Sequence, residues 1–286
     1  MTDNYPNFFL VGASKSGTTA VAEALDQHPE ISMSAVKEPR FFNKFDHPLD
    51  IISQESFSQY INTHFGSNSS KVRGEASVDY LSSSRAAEWL SHYFPKSKIL
   101  IILRNPIDRT KSLYEMATRH GFKESFQYAI RENGFLIQQN TYYEKVKSYL
   151  DRFPREQILI LEHSDVREDW VESIRRILHF LEVDINEIPP FIERNIGGVP
   201  VNAFWKKIAN RKLIALTKRF IPREAQKKLD NFLKSRYYKK IDVSTNDELY
   251  MRDFYVQDTI LLDQLLGTHF QERWFQRNNA KSPGGK

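Results

Sequence analysis

A glycine-containing turn near the start of the chain carries the residue types that hold a phosphate group. The apolar run 8–11 predicts a buried strand, and the spacing of small and apolar residues in 18–27 predicts a helix. A strand, a glycine-rich turn and a helix in this order direct backbone N–H groups and a helix N-terminus towards an anion. The candidate phosphate-binding residues are Lys15, Ser16, Gly17, Thr18 and Thr19.

The position of the lysine distinguishes this turn from the Walker loop of nucleoside triphosphatases. Gly12 and Gly17 keep the G-x-x-x-x-G spacing, but Thr18 follows the second glycine and Lys15 precedes it by two residues. A Mg²⁺–triphosphate site also needs an acidic residue at the end of a neighbouring strand. The best later strand, 98–103, is followed by Arg104, which suits a second phosphate and repels a metal ion. The sequence therefore predicts a nucleotide with two separate phosphate sites and no metal between them.

Several motifs resemble those of the sulfotransferases that use 3′-phosphoadenosine 5′-phosphosulfate (PAPS). Residues 15–19 are similar to the family's 5′-phosphosulfate loop, and 102–112 are similar to its 3′-phosphate motif, L-R-[ND]-P-x-x-R-x-x-S. Residues 37–42 resemble the K-E-x-x-[FY]-F element of the heparan-sulfate and bacterial branches. Residues 74–81 resemble a bacterial motif, G-E-A-S-P-x-Y-L. The motifs follow the family's order, so the chain is identified as a member of the PAPS-dependent sulfotransferases.

The resemblance implies transfer of a sulfuryl group from PAPS to an acceptor hydroxyl or amine, with PAP (the 3′,5′-bisphosphate) as product. The acceptor must lose a proton, and Glu38 occupies the position of the base in the glycan-modifying branch. Lys15 is expected to stabilise the negative charge that grows on the leaving oxygen. No metal cofactor is expected. The remaining nucleotide contacts are assigned to Arg104, Ser112, Gly197 and Gly198.

The acceptor side is assigned to Arg40, Glu75 and Tyr80. Glu75 could orient the acceptor or Lys15, or it could be a buried structural acid. Glu38 could instead form a surface ion pair with a basic neighbour. Heparan-type members carry E-K-[ST] where this chain has Ala76, so the aid of that lysine is lost or comes from elsewhere. The expected acceptor is a glycan, a glycolipid or a hydroxylated small molecule, and not a nucleic acid.

The alternation of strands and helices predicts the fold class. Strands are expected at 8–11, 31–34, 98–103 and 157–162, with helical patterns between and after them. This order predicts an α/β protein: one P-loop-type domain over 1–286, with a central parallel sheet flanked by helices and a helical C-terminal part. The predicted buried face of helix 169–181 is Val171, Ile174, Ile177, Leu178 and Leu181.

The positive charge is concentrated in one segment. The net charge is +5, and residues 205–240 contain thirteen Lys or Arg against two acidic residues. Amphipathic helices packed on the domain are expected there, and a peripheral contact with an anionic glycan or lipid headgroup is the alternative. The absence of Cys excludes disulfides and thiolate catalysis, and the eight histidines show no metal-ligand spacing.

The ends of the sequence lead to an expectation about location. No leader pattern precedes residue 7, and no stretch approaches the ~20 apolar residues of a membrane span. We therefore expect a cytoplasmic, bacterial protein whose tail, 278–286, is frayed.

Two other functions fit parts of the pattern. One is a P-loop kinase of unusual design, against which stand the displaced Lys15, the missing strand-end acid and Arg104. The other is a non-catalytic protein that binds a nucleotide or an anionic glycan. A preference for ATP–Mg²⁺ over PAP would favour the kinase, and a function that survives Glu38→Ala would favour the binding protein.

Overall fold

The computed structural model describes residues 5–45, 47, 50–66, 70–83, 85–190, 199–200 and 238–275. The chain divides into two compact units: the first comprises 1–105, 141–192 and 256–286, and the second comprises 106–140 and 193–255. The described strands are β1 (Phe8–Gly12), β2 (Ile31–Met33), β3 (Val72–Glu75), β4 (Lys98–Leu103), β5 (Ile158–Glu162), β6 (Val199–Pro200) and β7 (Tyr238–Lys239). The described α-helices are α1 (Thr18–Leu25), α2 (Gln54–His64), α3 (Ala86–Tyr93), α4 (Pro106–Arg119), α5 (Phe126–Arg131), α6 (Phe135–Gln138), α7 (Tyr143–Leu150), α8 (His163–Glu168), α9 (Trp170–Leu181), α10 (Thr245–Leu266) and α11 (Phe270–Phe275).

The first unit contains a five-stranded sheet in the order β2-β3-β1-β4-β5. Every neighbouring pair is parallel, so the carboxyl ends of all five strands lie at one edge. From β1 the chain goes to β2 and β3 on one side, and it then continues to β4 and β5 on the other. In open parallel sheets such a reversal of strand order leaves a crevice at the carboxyl edge, where ligands bind.

The two faces of β1 are buried against different partners. Phe8 and Leu10 point to the face covered by α1 and α9, where Val21 and Ile177 are fully buried. Phe9 points to the other face, and its ring centroid lies 5.2 Å from that of Phe94. Strand residues alternate between faces, so an apolar run on a central strand fills two cores at once. The α/β class, the parallel sheet and the flanking helices are confirmed.

The opposite face is an aromatic cluster that holds the segment after β2. Phe41 stacks on Tyr60 of α2 with centroids 4.4 Å apart, and Phe42 makes edge contacts with Tyr60 and Tyr80. Aromatic pairs of this kind add about 0.5–1.5 kcal/mol beyond the burial of their area. The side chains of Phe41 and Phe42 are therefore held in the aromatic cluster, and this fixes the C-terminal end of the segment that contains Lys37 and Glu38.

The second unit is mainly helical in its described part. Leu113, Ala129 and Leu136 of α4, α5 and α6 form a small apolar core. A two-stranded antiparallel pair joins β6 and β7, so the C-terminal end of the predicted helical segment 205–240 is a strand. The rest of that segment, Gly197 and Gly198, and the tail 278–286 lie outside the described residues. The single domain over 1–286 stays a prediction.

Most predicted elements are present with shifted ends, and one predicted buried face needs a correction. Strand β4 occupies the predicted residues 98–103. In α9, Val171 is 48% exposed, whereas Ile177 is fully buried. The buried stripe starts at Trp170, whose indole donates to the Pro189 carbonyl at 2.8 Å. Because the stripe starts one residue earlier, Val171 lies on its flank. Within the described ranges, none of the helices combines the length and the apolarity that crossing a membrane would require.

Because Ile177 is buried and Val171 is exposed, substitutions at these two positions of α9 should change the free energy of unfolding by different amounts. Ile177→Ala should lower the free energy of unfolding by about 2–5 kcal/mol, because it leaves a cavity in the core under the sheet. Val171→Ala is the matched control and should change it by no more than ~0.5 kcal/mol. Urea unfolding followed by circular dichroism measures both values. Equal losses in the two variants would contradict the assigned face.

Candidate functional site

The turn after β1 has the backbone geometry of an anion cradle. Lys15 and Gly17 both have positive φ angles, 67° and 80°. Gly17 is the N-cap of α1 and, having no side chain, places no acceptor over the first amides of the helix. A Cβ atom on Gly17 would stand 3.2 Å from His163 Cδ2. Glycine is thus favoured here by both the left-handed conformation and the close neighbour.

The buried hydroxyl of Ser16 indicates that the turn suits a bound anion. Ser16 is completely buried, and its Oγ has no hydrogen-bond partner within the described part of the chain. A buried polar group without a partner costs about 1–3 kcal/mol. A phosphate or phosphosulfate oxygen in the turn would accept this O–H, so the residues present fit the 5′ end of a nucleotide.

Arg104 brings the second motif into contact with the first. It follows β4, and its Nη1 donates to the Lys15 carbonyl at 2.8 Å. Its own backbone is held by Tyr142, whose hydroxyl donates to the Arg104 carbonyl at 2.8 Å and lies 3.3 Å from the Arg104 amide nitrogen. The guanidinium therefore lies beside the turn, where an anion would meet both.

His163 is a site residue that the sequence analysis missed. It directly follows β5, and its ring lies next to Gly17. Burial, together with the smaller effect of the positive charges of Arg104 and Arg167, lowers the pKa of His163 to about 4. The imidazole is therefore neutral at pH 7 and able to donate or accept one hydrogen bond at the edge of the cradle. Its position after a strand next to β4 was the signal that could have found it.

The Lys37–Glu38 segment reaches the first turn of α1. Lys37 Nζ donates to Thr19 Oγ1 at 2.8 Å and lies 4.0 Å from a Glu38 oxygen. Arg40 is hydrogen-bonded to the Glu38 carboxylate and lies 3.1 Å from Asp79. The Glu38 side chain keeps 21% exposure, so an acceptor group can reach it. Lys37 is a second cation near the cradle that the sequence analysis did not assign.

Two of the predicted acceptor-binding residues need a correction. Glu75 and Tyr80 are both completely buried, so neither side chain is open to an acceptor. The Glu75 carboxylate accepts hydrogen bonds from Tyr60, from Ser77 at 2.5 Å and from Tyr80. Burial raises the pKa of Glu75, and these hydrogen bonds act in the opposite direction. Arg40 is exposed, and its role towards the acceptor stays a prediction.

Helix α11 packs against the ends of β4 and β5. The Trp274 indole donates to Glu162 at 2.7 Å, and the Asn105 side chain donates to the Trp274 carbonyl at 2.9 Å. Arg273 lies 2.6 Å from the second Glu162 oxygen. These contacts tie the residues on either side of the strand ends to one short helix, and they fix the backbone from which Arg104 and His163 project.

The structure gives less information about the remaining predicted site residues. Ser112 is half-buried on α4, in the second unit, and its part in binding a 3′-phosphate stays a prediction. Gly197 and Gly198 fall outside the described residues. Among the side chains that the structure describes, no three His, Asp or Glu residues converge as metal ligands.

The neutral His163 predicts how stability depends on pH. The His163 imidazole takes up a proton near pH 6.5 in the unfolded chain but only near pH 4 in the folded protein. The contribution of the neutral imidazole to the free energy of unfolding is therefore complete above pH 6.5 and is lost as the pH falls towards 4. The melting temperature of His163→Gln should therefore drop less between pH 7 and pH 5 than that of the wild type. The exposed His92→Gln serves as the control and should behave like the wild type. Equal drops in all three proteins would contradict the assignment.

Comparison with known proteins places the chain in a family. Residues 5–244 match the family model described as "Sulfotransferase domain". Human bifunctional heparan sulfate N-deacetylase/N-sulfotransferase 1 is 25% identical over 287 residues, which cover 92% of this chain and 30% of that enzyme. Membrane-associated sulfotransferase kil1 of Dictyostelium discoideum is 27% identical over 140 residues, which cover 46% of this chain and 29% of that protein. The chain thus spans less than a third of the length of these curated relatives.

A solved structure shows the same fold. The crystal structure of a sulfotransferase from Alicyclobacillus acidocaldarius matches with a TM-score of 0.68 at 23% identity, covering 93% of this chain and 97% of that one. The family match includes the turn after β1, the Lys37–Glu38 segment and the end of β4. The protein belongs to the sulfotransferase family.

Proposed function

We propose that the protein transfers a sulfuryl group from PAPS to a hydroxyl or amine of an acceptor and releases PAP. The observation that carries the proposal is the hydrogen bond from Arg104 to the Lys15 carbonyl, which joins the two anion-binding motifs. Within the described residues the Ser16 hydroxyl has no hydrogen-bond partner, which supports an anion in the first of these motifs. Two basic motifs in contact suit a donor that carries phosphate groups at both ends of one nucleoside.

The charge that develops during transfer explains the need for lysine. As the bond between sulfur and the bridging oxygen breaks, negative charge grows on that oxygen. A sulfuryl group carries one negative charge fewer than a phosphoryl group, so less charge has to be offset around the transferred group. Lys15 is proposed to stabilise the leaving oxygen, with the N-terminal amides of α1 beside it. Lys37, at 2.8 Å from Thr19, is a second source of positive charge at the start of the same helix.

Glu38 is proposed to be the base that takes the acceptor's proton. Its carboxylate is partly exposed and accepts a hydrogen bond from Arg40, which holds it where an acceptor group can reach it. Its neighbour Lys37 contacts α1, so the carboxylate lies on the segment that borders the cradle. The in-line arrangement has the acceptor oxygen or nitrogen between Glu38 and the sulfuryl group, with the leaving oxygen on the far side.

A glycan is the proposed acceptor class. The human relative is named as a heparan sulfate N-deacetylase/N-sulfotransferase, and heparan sulfate is a glycan. Exposed Arg40 beside Glu38 suits an anionic or hydroxylated chain. The deciding experiment incubates the protein with ³⁵S-labelled PAPS and a lysate of the source organism, alongside N-desulfated heparin as a defined probe. Binding of PAP without any transfer of label would favour a non-catalytic nucleotide-binding protein, and a preference for ATP–Mg²⁺ would favour a kinase.

The two basic motifs should respond differently to substitution. Lys15→Ala should lower kcat about 10²–10³-fold, because one donor to the developing oxyanion is lost. Arg104→Ala should mainly weaken PAP binding, which isothermal titration calorimetry measures. Arg152→Ala removes an exposed arginine away from the turn and should change neither value. Unchanged PAP affinity in Arg104→Ala would contradict its assignment.

The base assignment has its own test. Glu38→Gln should lower kcat about 10²–10⁴-fold while the Kd for PAP stays unchanged, since a neutral amide cannot take the proton. Glu88→Gln replaces an exposed, arginine-paired glutamate on α3 and serves as the control. Full activity of Glu38→Gln would remove Glu38 as the base and leave the family assignment intact.

A further inference from the structure

The buried carboxylate of Glu75 lies at the centre of a hydroxyl network behind the Glu38 segment. Glu75 ends β3 and is completely buried. It accepts hydrogen bonds from the hydroxyls of Tyr60, Ser77 and Tyr80. A buried carboxylate is costly unless hydrogen bonds compensate it, and three O–H donors do so here. The group is not exposed to an acceptor, so any effect on chemistry must act through its neighbours.

Two of these three hydroxyls also hold the backbone of the Glu38 segment. Ser77 Oγ accepts the Arg40 backbone N–H at 3.0 Å. The Tyr80 hydroxyl accepts the Phe42 backbone N–H at 3.3 Å. Each hydroxyl has one proton, and because that proton goes to Glu75, the lone pairs of the oxygen remain for the amide. Glu75 thereby determines which way both hydroxyls point.

The third hydroxyl differs in one respect. Tyr60 donates to the same carboxylate, and within the described residues its hydroxyl accepts no backbone N–H of segment 37–42. Its ring stacks on Phe41, a contact that phenylalanine would preserve. The network therefore contains an internal comparison: two hydroxyls lead to the segment, and one does not.

The segment needs such support because its backbone is unusual. Glu38 has φ of 55° and Arg40 has φ of 53°. Residues other than glycine adopt this left-handed region only where the surroundings hold them there. The Arg40 amide lies within this stretch and the Phe42 amide follows it. Their acceptors, Ser77 and Tyr80, therefore hold the turn that presents the Glu38 carboxylate.

We infer that Glu75 is a positioning residue that orients the Ser77 and Tyr80 hydroxyls and thereby fixes the Glu38 carboxylate next to the cradle. This inference rests on the proposed role of Glu38 as the base. The positioning role of Glu75 explains why an acidic residue is buried beside aromatic rings in an apolar layer. An amide or apolar group at residue 75 would not impose the same direction on both hydroxyls.

Three single variants test the inference. Ser77→Ala and Tyr80→Phe each remove a hydroxyl that connects Glu75 to the segment, and each should lower kcat at least tenfold. The Kd for PAP should stay within twofold of the wild type, because the cradle is untouched. Tyr60→Phe is the matched control: it also removes one donor to Glu75, and kcat should stay within twofold.

Amide hydrogen exchange, followed by NMR, gives a readout that does not require turnover. Ser77→Ala should speed exchange of the Arg40 amide at least tenfold, and Tyr80→Phe should do the same for the Phe42 amide. Tyr60→Phe should change neither, and Glu75→Gln should affect both. If Glu75→Gln does not fold, the three hydroxyl variants still decide the question.

The outcomes separate this inference from the proposed function. If Tyr60→Phe lowers kcat as much as Ser77→Ala, or if the two amides exchange as in the wild type, Glu75 is a structural acid and the inference is wrong. If the wild type transfers no label from PAPS, the proposed function fails. The exchange data then decide whether Glu75 fixes the segment, whatever that segment does.

Discussion

The site depends on one hydrogen bond between the ends of two neighbouring strands. Arg104 follows β4, Lys15 follows β1, and the bond from the guanidinium to the Lys15 carbonyl holds the cradle against the second basic motif. This contact is possible because β1 and β4 are adjacent and parallel, which brings their carboxyl ends to the same edge. The buried Tyr142 holds the Arg104 backbone through a hydrogen bond from its hydroxyl to the Arg104 carbonyl.

The edge of the sheet collects positive charge and keeps its histidine neutral. Lys15, Lys37 and Arg104 surround the start of α1, whose N-terminus adds its own partial positive charge. In this setting burial and the neighbouring arginines keep His163 uncharged. A further cation would add repulsion without a counter-ion, whereas a neutral imidazole still offers a hydrogen bond. The arrangement suits an anionic ligand.

Behind this charged edge, buried polar groups do the positioning. Glu75 and Glu162 lie at the ends of β3 and β5. Glu75 accepts hydroxyl hydrogen bonds, and Glu162 accepts the Trp274 indole N–H and forms an ion pair with Arg273. A buried polar network lowers the stability of the protein when some of its groups lack hydrogen-bond partners, and it favours one specific arrangement when all of them have partners. Here these networks connect the strand ends to the segment that carries Glu38 and to helix α11. The same sheet edge thus combines an open cationic surface with a closed polar layer.

Local patterns in the sequence predicted four of the five strands of the sheet, most of the described helices and the glycine turn, but not β3 (Val72–Glu75). The strand at 98–103 and the turn from Gly12 to Gly17 depend on residues that are close in sequence, so composition and spacing are sufficient. Three features became visible in the fold alone: His163 and Lys37 border the cradle, Glu75 and Tyr80 are closed to an acceptor, and Val171 is exposed. These facts depend on strand order and on which helix covers which face, and no short segment encodes either. The sequence therefore specified the chemistry available at each strand end, and the order of the strands decided which of these groups meet.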